Sequence, residues 1–228
     1  MNKFFTATLL SLVATLFAHG AFAADIKGDP ASGEKKNAMC IGCHGIKGYQ
    51  ASFPSVYKVP MISGQGAGYI TSALQAYREG ARKHPTMVAI ATSLTDQDIA
   101  DLAAYYAQHG KVEGAAALDA KPSKEPSEKV AALLAKNACV SCHGANFSKP
   151  LDPSQPKLAG QHKDYLYVSL QAYKTEGNSK VGRSNGVMGG IAKNLSLAEM
   201  KLLADYIGSL NGELKTVPQA KMHQAPAK

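Results

Sequence analysis

Residues 40–44 read Cys-Ile-Gly-Cys-His, and residues 139–143 read Cys-Val-Ser-Cys-His. Two thiols three positions apart can hold zinc, cycle as a dithiol, close a disulfide or attach a haem, and each use demands different company. A zinc ribbon would take all four cysteines, but its pairs lie about 15 to 20 residues apart; here 95 residues separate Cys43 from Cys139. A thioredoxin-like dithiol belongs beside a βαβ pattern, and this chain offers no period-two apolar run with turn signals. A disulfide framework serves chains too small to build a core, whereas this one has 228 residues, 45% of them hydrophobic. None of these uses needs a histidine directly after the second cysteine, twice. In helical geometry Cys40, Cys43 and His44 project to one side. Two thiols can then form thioethers with a porphyrin's vinyl groups while the imidazole reaches the iron, which is the signature of c-type haem attachment. Cys139, Cys142 and His143 repeat it. Two covalently bound haem c groups are expected, and no zinc.

An iron held by one histidine needs a sixth ligand, and a chain that repeats its motif should supply it at matching places. Seven methionines are available. Met1 leaves with a leader segment, and Met39 adjoins Cys40 and cannot cross to the opposite haem face. Met61 and Met222 have no counterpart in the other half, and Met200 aligns with Ile99 on an apolar helix stripe. Met87 and Met188 correspond, 43 and 45 residues after His44 and His143, and are the expected axial ligands. His84, three residues before Met87, has no histidine opposite it in the second half and is disfavoured. His109 and His162 are unpaired between halves and read as surface or loop residues. Thioether sulfur raises the reduction potential relative to a second histidine and occupies the position where a substrate would bind, so both irons are built to exchange single electrons. The carbonyls of Pro60 and Pro156 are the candidate acceptors for the histidines' free ring N–H.

The elements that position these residues are also written twice. Gly64-Gln65, Tyr69 and Leu74-Gln75-Ala76-Tyr77 return 96 residues later as Gly160-Gln161, Tyr165 and Leu170-Gln171-Ala172-Tyr173. Met87, Leu94 and Tyr105 return 101 residues later as Met188, Leu195 and Tyr206. Each half reads as helices with long irregular connections, so the fold class is all-α. Asp29 with Pro30 caps a first helix running toward Cys40, and Ser127 does the same before Cys139. YITSALQAYREG and YLYVSLQAYKTEG carry apolar residues at helical spacing. The last helices start at the capping boxes Thr95–Asp98 and Ser196–Glu199. Ile99, Leu102, Ala103 and Tyr106, and opposite them Met200, Leu203, Ala204 and Ile207, form their core stripes. Such a core is thin for about 100 residues per half, and a large buried cofactor would supply its apolar centre.

Residues 1–23 have a lysine near the start, an apolar run from Phe4 to Ala18 and the ending Ala21-Phe22-Ala23, the order of a cleaved secretory signal peptide. The run is shorter than the roughly 20 apolar residues that span a bilayer. Domains are expected at 24–115 and 127–215, joined by a proline-bearing linker at 116–126 and followed by a flexible tail at 216–228. The formal charge is +8 and lies unevenly: residues 24–119 carry nine Lys and Arg against nine Asp and Glu, and residues 120–228 fifteen against eight. A neutral half joined to a basic half orients the molecule toward an acidic partner or an anionic membrane surface. Export and the lack of a basic stripe with interleaved aromatics exclude nucleic acid.

Taken together, the two CxxCH motifs, the segments PMISGQ and PKLAGQ, the helices ending in LQAY, the matching methionines and the final helices SLTDQDIADLAAYYA and NLSLAEMKLLADYIGSL resemble the dihaem cytochrome c4 family across residues 25 to 212. The resemblance implies two tandem class I cytochrome c domains, each of three to five helices around one haem. Cys40, Cys43, His44 and Met87 would hold the first haem, and Cys139, Cys142, His143 and Met188 the second. It further implies a periplasmic respiratory carrier, not an enzyme, taking electrons from a quinol-oxidising donor complex and passing them to a membrane-bound oxidase or reductase, with loose membrane association. The haem subunit of a flavocytochrome and a dihaem oxidoreductase are the competing readings. One departure is the first haem loop, IKGYQASFPSVYKVP, which is longer and more aromatic than ANFSKPLDPSQP.

Overall fold

The computed structural model describes residues 26–111 and 118–218; the leader segment and most of the expected tail lie outside them. The first half opens with α1 (Pro30–Lys36), whose N-cap Asp29 accepts a hydrogen bond from the Ala31 amide and whose first position is proline. The expected single helix toward Cys40 is interrupted at Asn37, and α2 (Ala38–His44) restarts from there with the Cys40 and Ile41 amides both bonded to the Asn37 carbonyl. The haem motif therefore occupies a helix of its own. Next comes a short antiparallel pair, β1 (Gln50–Ala51) and β2 (Tyr57–Lys58), built from the long aromatic loop. It is followed by α3 (Ala67–Arg78), β3 (Arg82–Lys83), α4 (Pro85–Thr92) and α5 (Asp96–Gln108).

The second half repeats the order with α6 (Glu128–Lys136), α7 (Val140–His143), α8 (Lys163–Lys174), β4 (Gly182–Arg183), α9 (Gly186–Lys193) and α10 (Leu197–Ile207). The capping boxes form as the sequence requires: Thr95 and Asp98, like Ser196 and Glu199, each bond the other's backbone amide. Such a box satisfies two amides that a helix start leaves open. The helices carrying Met87 and Met188 are a structural addition. At eight residues each they span little more than two turns, too short for a helical period to stand out, and α4 is apolar almost all round.

The core stripes are buried as their spacing demands. Ile99, Leu102, Ala103 and Tyr106 are at most 2% exposed, and Met200 is fully buried among Leu133, Leu166, Leu203 and Phe147. Met200 is therefore core, away from any ligand role. The first and last helices of the first half cross in close contact, for a Cβ on Gly33 would stand 2.2 Å from the Asp101 carbonyl oxygen. Asp101 is itself buried and accepts from the Asp29 amide at 2.8 Å, from Lys36 Nζ at 2.7 Å and from Gln97 Nε2 at 2.8 Å.

The two halves meet along a two-fold-like seam. β3 pairs antiparallel with β4, setting Arg82 opposite Arg183. Lys58 donates its amide to Asp164 Oδ2 at 2.9 Å, and the Tyr57 and Tyr165 rings lie 6.2 Å apart. Beyond α10 the chain returns to the first half, where the Lys215 amide bonds the Ser63 carbonyl. The described part of the linker region is tied to the second half through Tyr206 Oη to the Lys124 carbonyl and the Asn211 amide to Ser123 Oγ.

Candidate functional site

Cys40, Cys43, His44 and Met87 line one cavity of about 370 Å³, within the range of roughly 300–1,000 Å³ common for cofactor sites. Its wall is largely apolar, with Ile62, Ile70, Leu74, Leu102 and Tyr106 contributed by α3, α5 and the loop before α3. This is the apolar centre that a thin helical core leaves to a cofactor. α2 brings the thiols and His44 to one side of it, and α4 brings Met87, so four residues spread over 48 positions converge. Burial pushes the Cys40 thiol up to about 11, so it is no thiolate nucleophile at neutral pH, which argues against a working dithiol.

His44 Nδ1 donates to the Pro60 carbonyl at 2.8 Å, and His143 Nδ1 faces the Pro156 carbonyl at 3.4 Å. Facing a carbonyl, Nδ1 carries the proton, which leaves Nε2 with its lone pair free for a metal. Burial also pushes both imidazoles toward the neutral form. The second set is placed by equivalent elements: α7 carries Cys142 and His143, Cys139 packs on the core of the second half, and α9 carries Met188 at its third position. Asn185 caps α9 by accepting the Met188 amide at 2.9 Å. His84 stands at the same place before α4, without that cap bond, and lines the first cavity edge-on to Phe53, with ring centroids 6.2 Å apart. His109 stacks on Tyr105 and bonds Ser63 Oγ, a structural role, and His162 stands at the N-cap position of α8 without a side-chain cap bond.

A further pair was not read from the sequence. Arg82 is buried and donates to the hydroxyls of Tyr69 at 3.2 Å and Tyr165 at 3.4 Å, while its guanidinium lies over the Tyr77 ring at 4.5 Å. Arg183 donates to Tyr165 Oη at 3.0 Å and lies over the rings of Tyr165 and Tyr173, each at 5.5 Å. Among the described residues neither guanidinium forms an ion pair, and Arg82 Nε is buried without a partner. Burial raises the Tyr165 hydroxyl, yet the two guanidiniums outweigh it and pull its pKa down. A buried and a half-buried cation facing only phenols call for an anion, and a haem carries two propionates. The chain's residues thus fit the group: thiols, a neutral imidazole, a thioether, an apolar wall and unneutralised guanidiniums. The signal that would have revealed the arginines is the duplication itself, since Arg82 and Arg183 stand 101 residues apart, as Met87 and Met188 do.

Fold and site together define a c-type cytochrome in tandem, and the cytochrome c family model matches residues 31–109 and again 127–211. Cytochrome c4 of Azotobacter vinelandii is 31% identical over 92% of this chain and 100% of its own length. The structure of reduced recombinant cytochrome c4 from Pseudomonas stutzeri is matched with a TM-score of 0.56 and 28% identity, over 81% of this chain and 100% of that one. A thiosulfate dehydrogenase electron acceptor of Stutzerimonas stutzeri is 33% identical over 75% of this chain and 78% of its own length. The chain belongs to the dihaem cytochrome c4 family, with two covalently bound haem c groups.

Proposed function

We propose that this chain is a periplasmic electron carrier in which Cys40, Cys43, His44 and Met87 hold the first haem and Cys139, Cys142, His143 and Met188 the second. The observation that carries the assignment is the convergence of Cys40, Cys43, His44 and Met87 on one apolar cavity, in a chain whose second half repeats each of these residues on an equivalent element. When bound, haem c would supply a one-electron couple, and ligation by a methionine together with a histidine would keep that couple at high potential. The chain's own part is to hold both ligands, exclude water and fix charge nearby. Pro60 and Pro156 orient the imidazoles. Arg82 and Arg183 would hold propionates at the seam, where their charge would favour the ionised acids.

The asymmetry of charge, a neutral first half and a basic second half, supports docking of the second half on an acidic face of a membrane-bound oxidase or reductase, with a quinol-oxidising complex as donor. Among the described residues no helix is long and apolar enough to cross a membrane, and the leader-like residues 1–23 support export with contact at the membrane surface only. The likeness to the Stutzerimonas stutzeri protein favours a second reading of the donor, as a dehydrogenase that oxidises a sulfur compound. Neither reading gives the chain substrate turnover of its own. Met87→His and Met188→His, examined separately by redox titration, should each lower one potential and leave the other; an unchanged titration disqualifies that methionine as a ligand.

A further inference from the structure

The seam between the halves contains a reciprocal pair of buried glutamines. Gln161, in the second half, accepts the Met61 amide at Oε1 (3.0 Å) and donates Nε2 to the Met61 carbonyl (2.9 Å). Gln65, in the first half, accepts the Lys157 amide at Oε1 (2.9 Å) and donates Nε2 to the Lys157 carbonyl (3.0 Å). Both side chains are 4% exposed. Each oxygen also accepts the amide of the residue that follows its own glutamine, Gly66 or His162. Each oxygen thus accepts twice and each Nε2 donates once, so the orientation of both amides is fixed by the groups around them. Because the bonds go to backbone atoms, the contact survives although methionine stands at one position and lysine at the other.

The peptide groups that these glutamines grip are the ones that orient the haem histidines. The Met61 N–H belongs to the same peptide unit as the Pro60 carbonyl, which accepts from His44 Nδ1. The Lys157 N–H belongs to the unit of the Pro156 carbonyl, which faces His143 Nδ1. A peptide whose N–H is bonded is polarised and becomes a better acceptor at its oxygen. A better acceptor draws the imidazole proton and raises the basicity of the ligating nitrogen. A more basic ligand favours ferric iron and lowers the potential.

We propose that each half sets the potential of the other half's haem through this relay, Gln161 acting on His44 through the Pro60–Met61 peptide, and Gln65 acting on His143 through the Pro156–Lys157 peptide. The glutamines are positioning residues, touching neither iron nor ligand. The inference rests on the ligand assignment proposed above. Parting the halves breaks both relays at once, so docking that shifts the seam changes both potentials without changing an iron ligand.

The test is redox titration of the full-length haem-loaded protein, with Met87→His and Met188→His marking which step belongs to which half. Gln161→Leu is expected to raise the step marked by Met87→His by up to about tenfold in equilibrium constant, ~59 mV for one electron, and to leave the other step in place. Gln65→Leu should do the converse. In the reduced protein, the nuclear magnetic resonance of the His44 Nδ1 proton should move upfield in Gln161→Leu while that of His143 holds, a change that loosened packing alone does not direct to the opposite half. A shift confined to the half that bears the substitution, or no shift in either step, overturns the inference while the methionine variants still behave as ligands. Methionine variants that move no step overturn the ligand assignment and this inference with it.

Discussion

Arg82 and Arg183 stand directly opposite each other in the β3–β4 pairing that joins the two halves, with four tyrosines around them and no carboxylate in salt-bridge contact among the described residues. Like charges placed so close in a buried seam persist when an anion lies between or beside them. Arg82→Gln should release a propionate toward its protonated form. A potential that wild-type protein holds constant near neutral pH should then fall as pH rises, because reduction and protonation of the acid become linked. Potentials measured from pH 5 to 8 check this, and equal slopes in both proteins would remove Arg82 from propionate binding.

Gly33 of α1 packs directly against the Asp101 carbonyl of α5, leaving no room for a Cβ. Gly33→Ala would force the helices apart, at a cost of about 1–3 kcal/mol for overpacking a tight contact. Thermal unfolding of the haem-loaded variant should show a lower midpoint. An unchanged midpoint would mean that the crossing relaxes freely.

The carboxyl of Asp101 is held below its ordinary value of 3.8, first by the Asp29 amide and then by Lys36. A depressed folded value contributes stability above pH 3.8 that is lost as pH falls through the folded value. Wild-type protein should therefore lose midpoint temperature below about pH 4. Asp101→Asn should be less stable at pH 7 and flatter in that acid window; parallel curves would show that the carboxylate is not what the pair of helices depends on.

The hydrogen bond from His44 to Pro60 is 2.8 Å, and that from His143 to Pro156 is 3.4 Å. The stronger bond makes the better electron-donating ligand, and the basic second half favours the reduced, less positive iron. Both effects put the lower potential on the first haem. Titrations marked by the methionine variants should show the second haem filling first.

Much of this was legible in the sequence because it is local. CxxCH sets two thiols and an imidazole within five residues, a capping box spans four, and a core stripe repeats every three or four. Met87 and Met188 are remote from their histidines, and only the comparison of halves singles them out. The seam was not legible in the same way. Gln65 and Gln161 recur as part of the GQ repeat, but spacing does not show that each reaches across to the other half's peptide. Arg82 looks like one more surface cation until β3 and β4 pair. Packing between domains depends on how two finished surfaces meet, and no local period encodes that. The break at Asn37 and the short helices α4 and α9 were hidden for a related reason, since close packing decides them more than helical propensity does.

A basic second half seeking an acidic partner should transfer electrons at rates that fall steeply with salt. Stopped-flow reduction of an acidic acceptor across ionic strengths would show this, and flat rates would remove the steering.

The central claim is that both irons carry a histidine and a methionine. The most direct measurement is the visible and near-infrared spectrum of the oxidised protein through a full redox titration, read beside Met87→His and Met188→His. Two low-spin haems with the methionine-to-iron band, reduced in amplitude in each variant and absent when both methionines are replaced, is the result expected. A high-spin haem, or one ligated by two histidines in the wild-type protein, would contradict it.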